Sequence, residues 1–98
     1  MKTPRHKKPL CPVTAMASLL SDTWTMLVVH NLIQKSPLRF CELERALDGI
    51  STRTLTLKLK YLEEKKIISK DEKGYKVTKL GLKIKPIINL MAKVGNEI

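Results

Sequence analysis

Two helix-forming segments meet across only three residues, and this junction constrains the chain more than any other feature. Cys41 to Leu47 has helical spacing, with Leu43, Ala46 and Leu47 on one face and Glu42, Glu44 and Arg45 on another. Ser51 is a good N-cap residue. It opens a second segment that runs to about Lys65, with Leu55, Leu59 and Leu62 at i, i+4 and i+7. The link between the two is Asp48-Gly49-Ile50, which contains a turn dipeptide.

The flanking segments extend the pattern. Ile67 to Glu72 and Tyr75 to Thr78 read as short strands around a tight turn at Lys73-Gly74. Upstream, Cys11 to Leu20 is a short apolar segment with Pro12 at its helical start. Ser21 and Asp22 then offer N-caps for a helix to about Gln34, with Trp24, Leu27, Val28, Val29 and Leu32 as its apolar face and Trp24 in the core. Ser36-Pro37 stops that helix, and Leu38-Arg39-Phe40 is long enough for one strand bridge. From Lys79 onward, Leu80, Ile84, Ile87, Ile88, Met91 and Val94 form a helical stripe in which Pro86 is expected to introduce a kink. Two short helices joined tightly and followed by a two-stranded hairpin make a winged helix-turn-helix. The expected fold is therefore mainly α with a small β-hairpin: one domain over residues 11–98 preceded by a basic arm over residues 1–10.

Charge narrows the partner. With 19 Lys+Arg against 9 Asp+Glu the chain carries +10 over 98 residues, an excess that favours a polyanion. Hydrophobic residues at 43% exclude disorder for the body of the chain. Aromatic residues at 4% argue against a stacking platform for single-stranded nucleic acid. No apolar run approaches a membrane span, and a secretory reading of the start fails because Thr14, Ser18, Ser21 and Asp22 interrupt the apolar stretch. Two cysteines are too few for a disulfide scaffold, so a reducing, cytoplasmic setting is expected.

The bases are not evenly spread. Arg53 to Lys66 holds five bases and two acids, and Lys73 to Lys85 holds five bases and no acid. On an ideal helix with Leu55 toward the core, Arg53, Leu57, Lys60 and Glu64 lie opposite, with Thr56 beside them. Arg53 and Thr56 occupy the N-terminal half, which reaches base edges in helix-turn-helix docking. Arginine bridges guanine O6 and N7, and threonine meets a thymine methyl or a phosphate. Lys60, Lys70 and Lys73 suit backbone phosphates. Ser51 and Thr52 are expected to offer free hydroxyls and N–H groups at a helix N-terminus, where phosphate binds readily. The competing reading of these charges is an ordinary solvated helix face.

Several short motifs fall in one order: Cys11-Pro12-Val13, Trp24-Thr25 with Leu27, Arg39-Phe40-x-Glu42-Leu43, Leu47-x-Gly49-Ile50-Ser51, Leu55-Thr56 with Leu59 and Leu62-Glu63, and Tyr75-x-x-Thr78-x-x-Gly81. In this order the chain resembles the HxlR-type regulators, winged helix-turn-helix transcription factors related to the MarR group. The resemblance implies a homodimer paired through its first and last helices on a pseudo-palindromic operator. It also implies that some members use the cysteine of the Cys-Pro-Val motif as a sensor of electrophiles or oxidants, which makes Cys11 the candidate here. Two departures stand out. Family members often carry Gln where this chain has Leu57, and their hairpin is usually longer than the one around Asp71-Glu72-Lys73-Gly74.

The remaining candidates are few. Cys11 follows four bases, which favour a reactive thiolate; the alternative is an apolar filler. Cys41 beside Phe40 reads as a packing residue and His30 as a core-edge histidine. His6, Cys11, His30 and Cys41 lack zinc-ligand spacing, so no metal or other cofactor is expected. No glycine-rich phosphate loop or catalytic triad spacing is present, and an enzyme is not expected. The apolar stripe Leu80, Ile84, Ile87, Ile88, Met91 and Val94 exceeds what one small core covers and is the expected dimer surface. The reading is a homodimeric, sequence-specific regulator that binds double-stranded DNA. The alternatives are a non-specific, chromatin-like DNA binder and a winged-helix protein-interaction module.

Overall fold

The computed structural model describes residues 12–98. In chain order it comprises α1 (Pro12–Leu20), α2 (Thr23–Gln34), α3 (Phe40–Ala46), α4 (Thr52–Glu64), β1 (Ile68–Asp71), β2 (Gly74–Val77), α5 (Lys79–Leu82) and α6 (Lys85–Glu97). The fold is the expected mainly helical winged helix-turn-helix. Cys11 and the basic arm lie outside the described residues.

The core is centred where α2 packs on α4. Leu55, Leu59 and Leu62 are buried there with Val28, Val29 and Leu32. Asp22 caps α2, and Ser51 caps α4 by accepting from the Thr54 N–H at 3.0 Å. Gly49 makes the α3–α4 turn with φ of 92°, a left-handed backbone that glycine adopts freely. Beyond α4, Thr78 closes the base of the wing. Its hydroxyl donates to the Lys66 carbonyl at 2.6 Å and accepts from the Gly81 N–H at 3.1 Å. Gly81 lies so close to the hairpin that an added Cβ would stand 2.3 Å from the Ile67 carbonyl oxygen.

Several expectations are corrected. Thr25 and Met26 are buried on α2, whereas Leu27 is 37% exposed and Trp24 is half-buried against the core rim. The core reaches α2 from α4 and the hairpin, which shifts its buried face off Leu27. Ala46 and Cys41 are exposed, because α3 buries Leu43 and its cap residue Leu47 and turns the rest outward. The C-terminal segment is two helices: α5 ends at Leu82, Ile84 caps α6, and Pro86 occupies the first turn of α6. A proline there costs no intrahelical bond, so the break precedes Pro86 and no kink arises at it.

The hairpin also differs in register. Asp71 pairs with Gly74, which leaves Glu72-Lys73 as the turn and puts Gly74 in β2. The glycine is required for another reason. Leu38 bridges to Tyr75, with paired N–H···O bonds of 2.9 and 2.7 Å. Gly74 at φ of 132° passes beneath that bridge, and a Cβ there would sit 2.6 Å from the Leu38 carbonyl oxygen.

Gly74→Ala is therefore expected to destabilise the fold by about 1–3 kcal/mol from backbone strain alone, with the clash adding to it. Urea unfolding reads this as a lower midpoint at unchanged slope. A midpoint matching the parent would contradict the close-approach role.

Candidate nucleic-acid interface

The helix that buries Leu55, Leu59 and Leu62 shows solvent the residues between them. Ser51, Thr52, Arg53, Thr56, Leu57 and Lys60 are all exposed, and Leu57 is 55% exposed. The structure thus brings the expected residues of α4 to one face. Neither Arg53 nor Lys60 forms an ion pair with a described acid. Lys58, by contrast, is drawn back to the Asp22 carboxylate at 3.1 Å.

The hydroxyls on this face are committed, contrary to expectation. Ser51 donates to Thr54 Oγ1 at 2.9 Å while accepting from the Thr54 N–H. The Thr52 hydroxyl donates to the Glu44 carboxylate on α3. Thr56, an exposed residue, donates to the Thr52 carbonyl at 2.8 Å, which turns its hydroxyl to the backbone. Short polar side chains in a first turn bond locally because backbone and neighbour partners lie within reach. What remains for an anion at this helix start is the N–H groups that a first turn leaves without intrahelical partners.

The wing presents fewer free cations than its sequence suggests. Lys70 Nζ lies 5.2 Å from the centroid of the Tyr75 ring, and Lys76 Nζ is 3.1 Å from Asp71 Oδ2. The Lys73 N–H donates to Asp71 Oδ1 at 2.8 Å, so the turn is braced while the Lys73 side chain stays exposed. That N–H, followed by Lys76, holds the Asp71 carboxyl below its ordinary pKa. Arg39 Nη2 donates to the Glu72 carbonyl at 3.2 Å and ties the tip to the start of α3. Glu44 and Arg39 are residues that sequence reasoning missed. Their partners are distant or on another helix, and only the adjacency of α3 to α4 hinted at the first.

The expected dimer stripe divides in two. Ile84 and Ile88 are 3% and 9% exposed, inside the chain's own core, and α6 packs on α2. Leu80, Met91 and Val94 are exposed, and Leu90 and Ile98 join them. Ile87, Leu90, Met91, Val94, Gly95 and Ile98 line a shallow apolar groove of about 400 Å³ on α6.

Comparison with known proteins agrees with this architecture. A family model of HxlR-like helix-turn-helix proteins matches residues 19–98. A protein described as an HTH-type transcriptional regulator from Synechocystis sp. is 36% identical over 95 residues, covering 90% of this chain and 70% of the relative. Among solved structures, quinone-bound YodB from Bacillus subtilis aligns with a TM-score of 0.83 at 28% identity, over 90% of this chain and 100% of that one. A protein described as a MarR-family transcriptional regulator from Porphyromonas gingivalis aligns with a TM-score of 0.80 at 34% identity, over 96% and 98% of the two chains. No single helix among the described residues is long and apolar enough to cross a membrane.

Asp22 caps α2 and reaches α4 through Lys58, and its titration tests the cap. The Thr25 hydroxyl donates to its carboxylate, the Thr25 N–H adds a bond of 2.9 Å, and Lys58 pairs with it. These partners outweigh burial and hold the carboxyl below its ordinary 3.8. A lowered folded-state pKa stabilises above the ordinary value, and that stability is lost as pH falls through the folded value. Asp22→Ala is expected to cost about 1 kcal/mol at neutral pH, with the gap closing below the carboxylate range. Urea unfolding of parent and variant at about pH 7 and about pH 2 checks the sign; an equal gap at both would contradict it.

Proposed function

The chain belongs to the HxlR-like helix-turn-helix family of transcriptional regulators, and on that premise we propose that it acts as a homodimer on a specific double-stranded DNA operator. The observation that carries the reading is the two-sidedness of α4. Its leucines anchor it in the core, while Arg53, Thr56, Leu57 and Lys60 stand exposed on the opposite side. A helix held on one side and free on the other is what the major groove admits. Arg53 reads a guanine edge from the N-terminal half. Lys60 and the wing residues Lys70 and Lys73 supply sequence-independent attraction to phosphates. The N-terminal turn at Ser51 and Thr52 approaches the backbone through its N–H groups, since its hydroxyls are engaged.

The apolar surface of α6 supports the homodimer. Leu90 at 61% and Val94 at 49% exposed, with Met91 between them, form a patch that a second copy covers symmetrically. Relative to the stripe expected from sequence, the contact uses Leu80, Ile87, Met91 and Val94 and gains Leu90, while Ile84 and Ile88 support it from within.

Cys11 is the sensing thiol in this reading. Four bases precede it, and a quinone, the ligand in the YodB structure, is an electrophile that thiolates attack. A mild electrophile is expected to change operator affinity in the parent, and Cys11→Ser to abolish the response without altering reduced-state binding. Cys41→Ser should respond as the parent does. An unchanged response in Cys11→Ser would remove the sensing role.

Titrations on operator and random DNA test the readout. Arg53→Ala is expected to cost about 1–3 kcal/mol on operator and little on random DNA. Lys73→Ala should weaken both about equally and lower the salt slope by about one per protomer. If both variants weaken operator and random DNA by the same factor, the protein is a chromatin-like binder. Absence of binding to any duplex would select the protein-interaction module.

A further inference from the structure

We propose that the exposed face of α4 reads thymine methyl groups, with Leu57 as the specificity-determining residue and the Thr56 methyl beside it. This deepens the operator-binding reading above and rests on it.

Leu57 lies between the buried Leu55 and Leu59, so at about 100° per residue it points away from the core, and its side chain is 55% exposed. Of its neighbours about one turn away, Arg53, Thr54 and Lys60 are polar and Tyr61 is half-buried against the core. Arg53 stands about one turn before it and Lys60 nearly one turn after, both exposed. An apolar group framed by cations suits a polyanion that carries a small apolar feature. In the major groove that feature is the C5-methyl of thymine.

The hydrogen-bonding groups on the same face point the same way. Thr52, Thr56 and Ser51 all spend their hydroxyl protons inside the chain, on Glu44, on the Thr52 carbonyl and on Thr54. With its hydroxyl proton spent on the helix, exposed Thr56 contributes its methyl beside Leu57 in this reading. Residues 52–64 contain no Asn or Gln, and a carboxamide is what pairs with adenine N6 and N7. The strong donors left are Arg53 and Lys60. The face therefore distinguishes guanine by its acceptors and thymine by its methyl, and it lacks the carboxamide that pairs with adenine in bidentate fashion.

Uracil isolates this term, because it keeps every base pair and removes only the methyl. The operator is obtained by selecting random duplexes with the full chain. It is then resynthesised with uracil at each thymine in turn. The parent is expected to bind about fourfold more weakly at one thymine per half-site, the worth of one buried methyl, at an unchanged salt slope. Leu57→Ala should be indifferent to uracil at that position. Leu57→Gln, which supplies the carboxamide, should shift the preferred base there from thymine to adenine. An operator that accepts uracil everywhere without loss overturns the proposal, as does a Leu57→Ala variant that stays as uracil-sensitive as the parent. A selection that enriches no sequence defeats the operator-binding reading itself and this proposal with it. An enriched operator without a uracil effect defeats only the role of Leu57.

Discussion

The packing of α4 against α2 is the contact on which the rest depends. Leu55 and Leu62 are fully buried and Leu59 is nearly so, and burying a leucine stabilises by about 1.5–3 kcal/mol. Three such residues on one stripe fix not only the position of α4 but its rotation. Once that rotation is set, Arg53, Thr56, Leu57 and Lys60 have no choice but to face outward. The candidate interface is thus the complement of the core. The Asp22–Lys58 pair and the Thr52–Glu44 contact hold the same helix from its two neighbours.

Charge is distributed by the same logic. The chain has a large excess of bases, and the fold engages some of those on α4 and the wing with partners of its own. Lys58 goes to Asp22, Lys76 to Asp71, and Lys65 and Lys70 lie over the rings of Tyr61 and Tyr75. Arg53, Lys60 and Lys73 are the cations left exposed on α4 and at the tip of the wing. Exposed pairs of this kind add little stability. Their effect is to shape where positive potential is concentrated.

Most of the fold was legible because its signals are local. The Ser51 and Asp22 caps, the Asp48-Gly49 turn and the leucine stripe each act within a few residues of sequence. The outward face of α4 followed from helical period alone, and the family resemblance followed from motif order. What escaped sequence reading depends on distant partners. Gly74 looks like a turn glycine until the Leu38 bridge, some 36 residues away, is seen to pass over it. The Thr78 and Gly81 motif is structural, closing the hairpin onto Lys66 and Ile67. The exposure of Cys41 and the use of Ile84 and Ile88 inside the chain depend on which face of a short helix finds the core first, which period does not decide for α3 or α6. The engagement of the Ser51 and Thr52 hydroxyls likewise could not be read before Glu44 and Thr54 were placed beside them.

Selection of random duplex DNA with the full chain, followed by footprinting of the enriched fragment, tests the central claim most directly. The account predicts a protected pseudo-palindrome whose half-sites are spaced about one helical turn or a multiple apart, as a two-fold dimer requires. No enriched sequence, or protection spread evenly along the fragment, would contradict it.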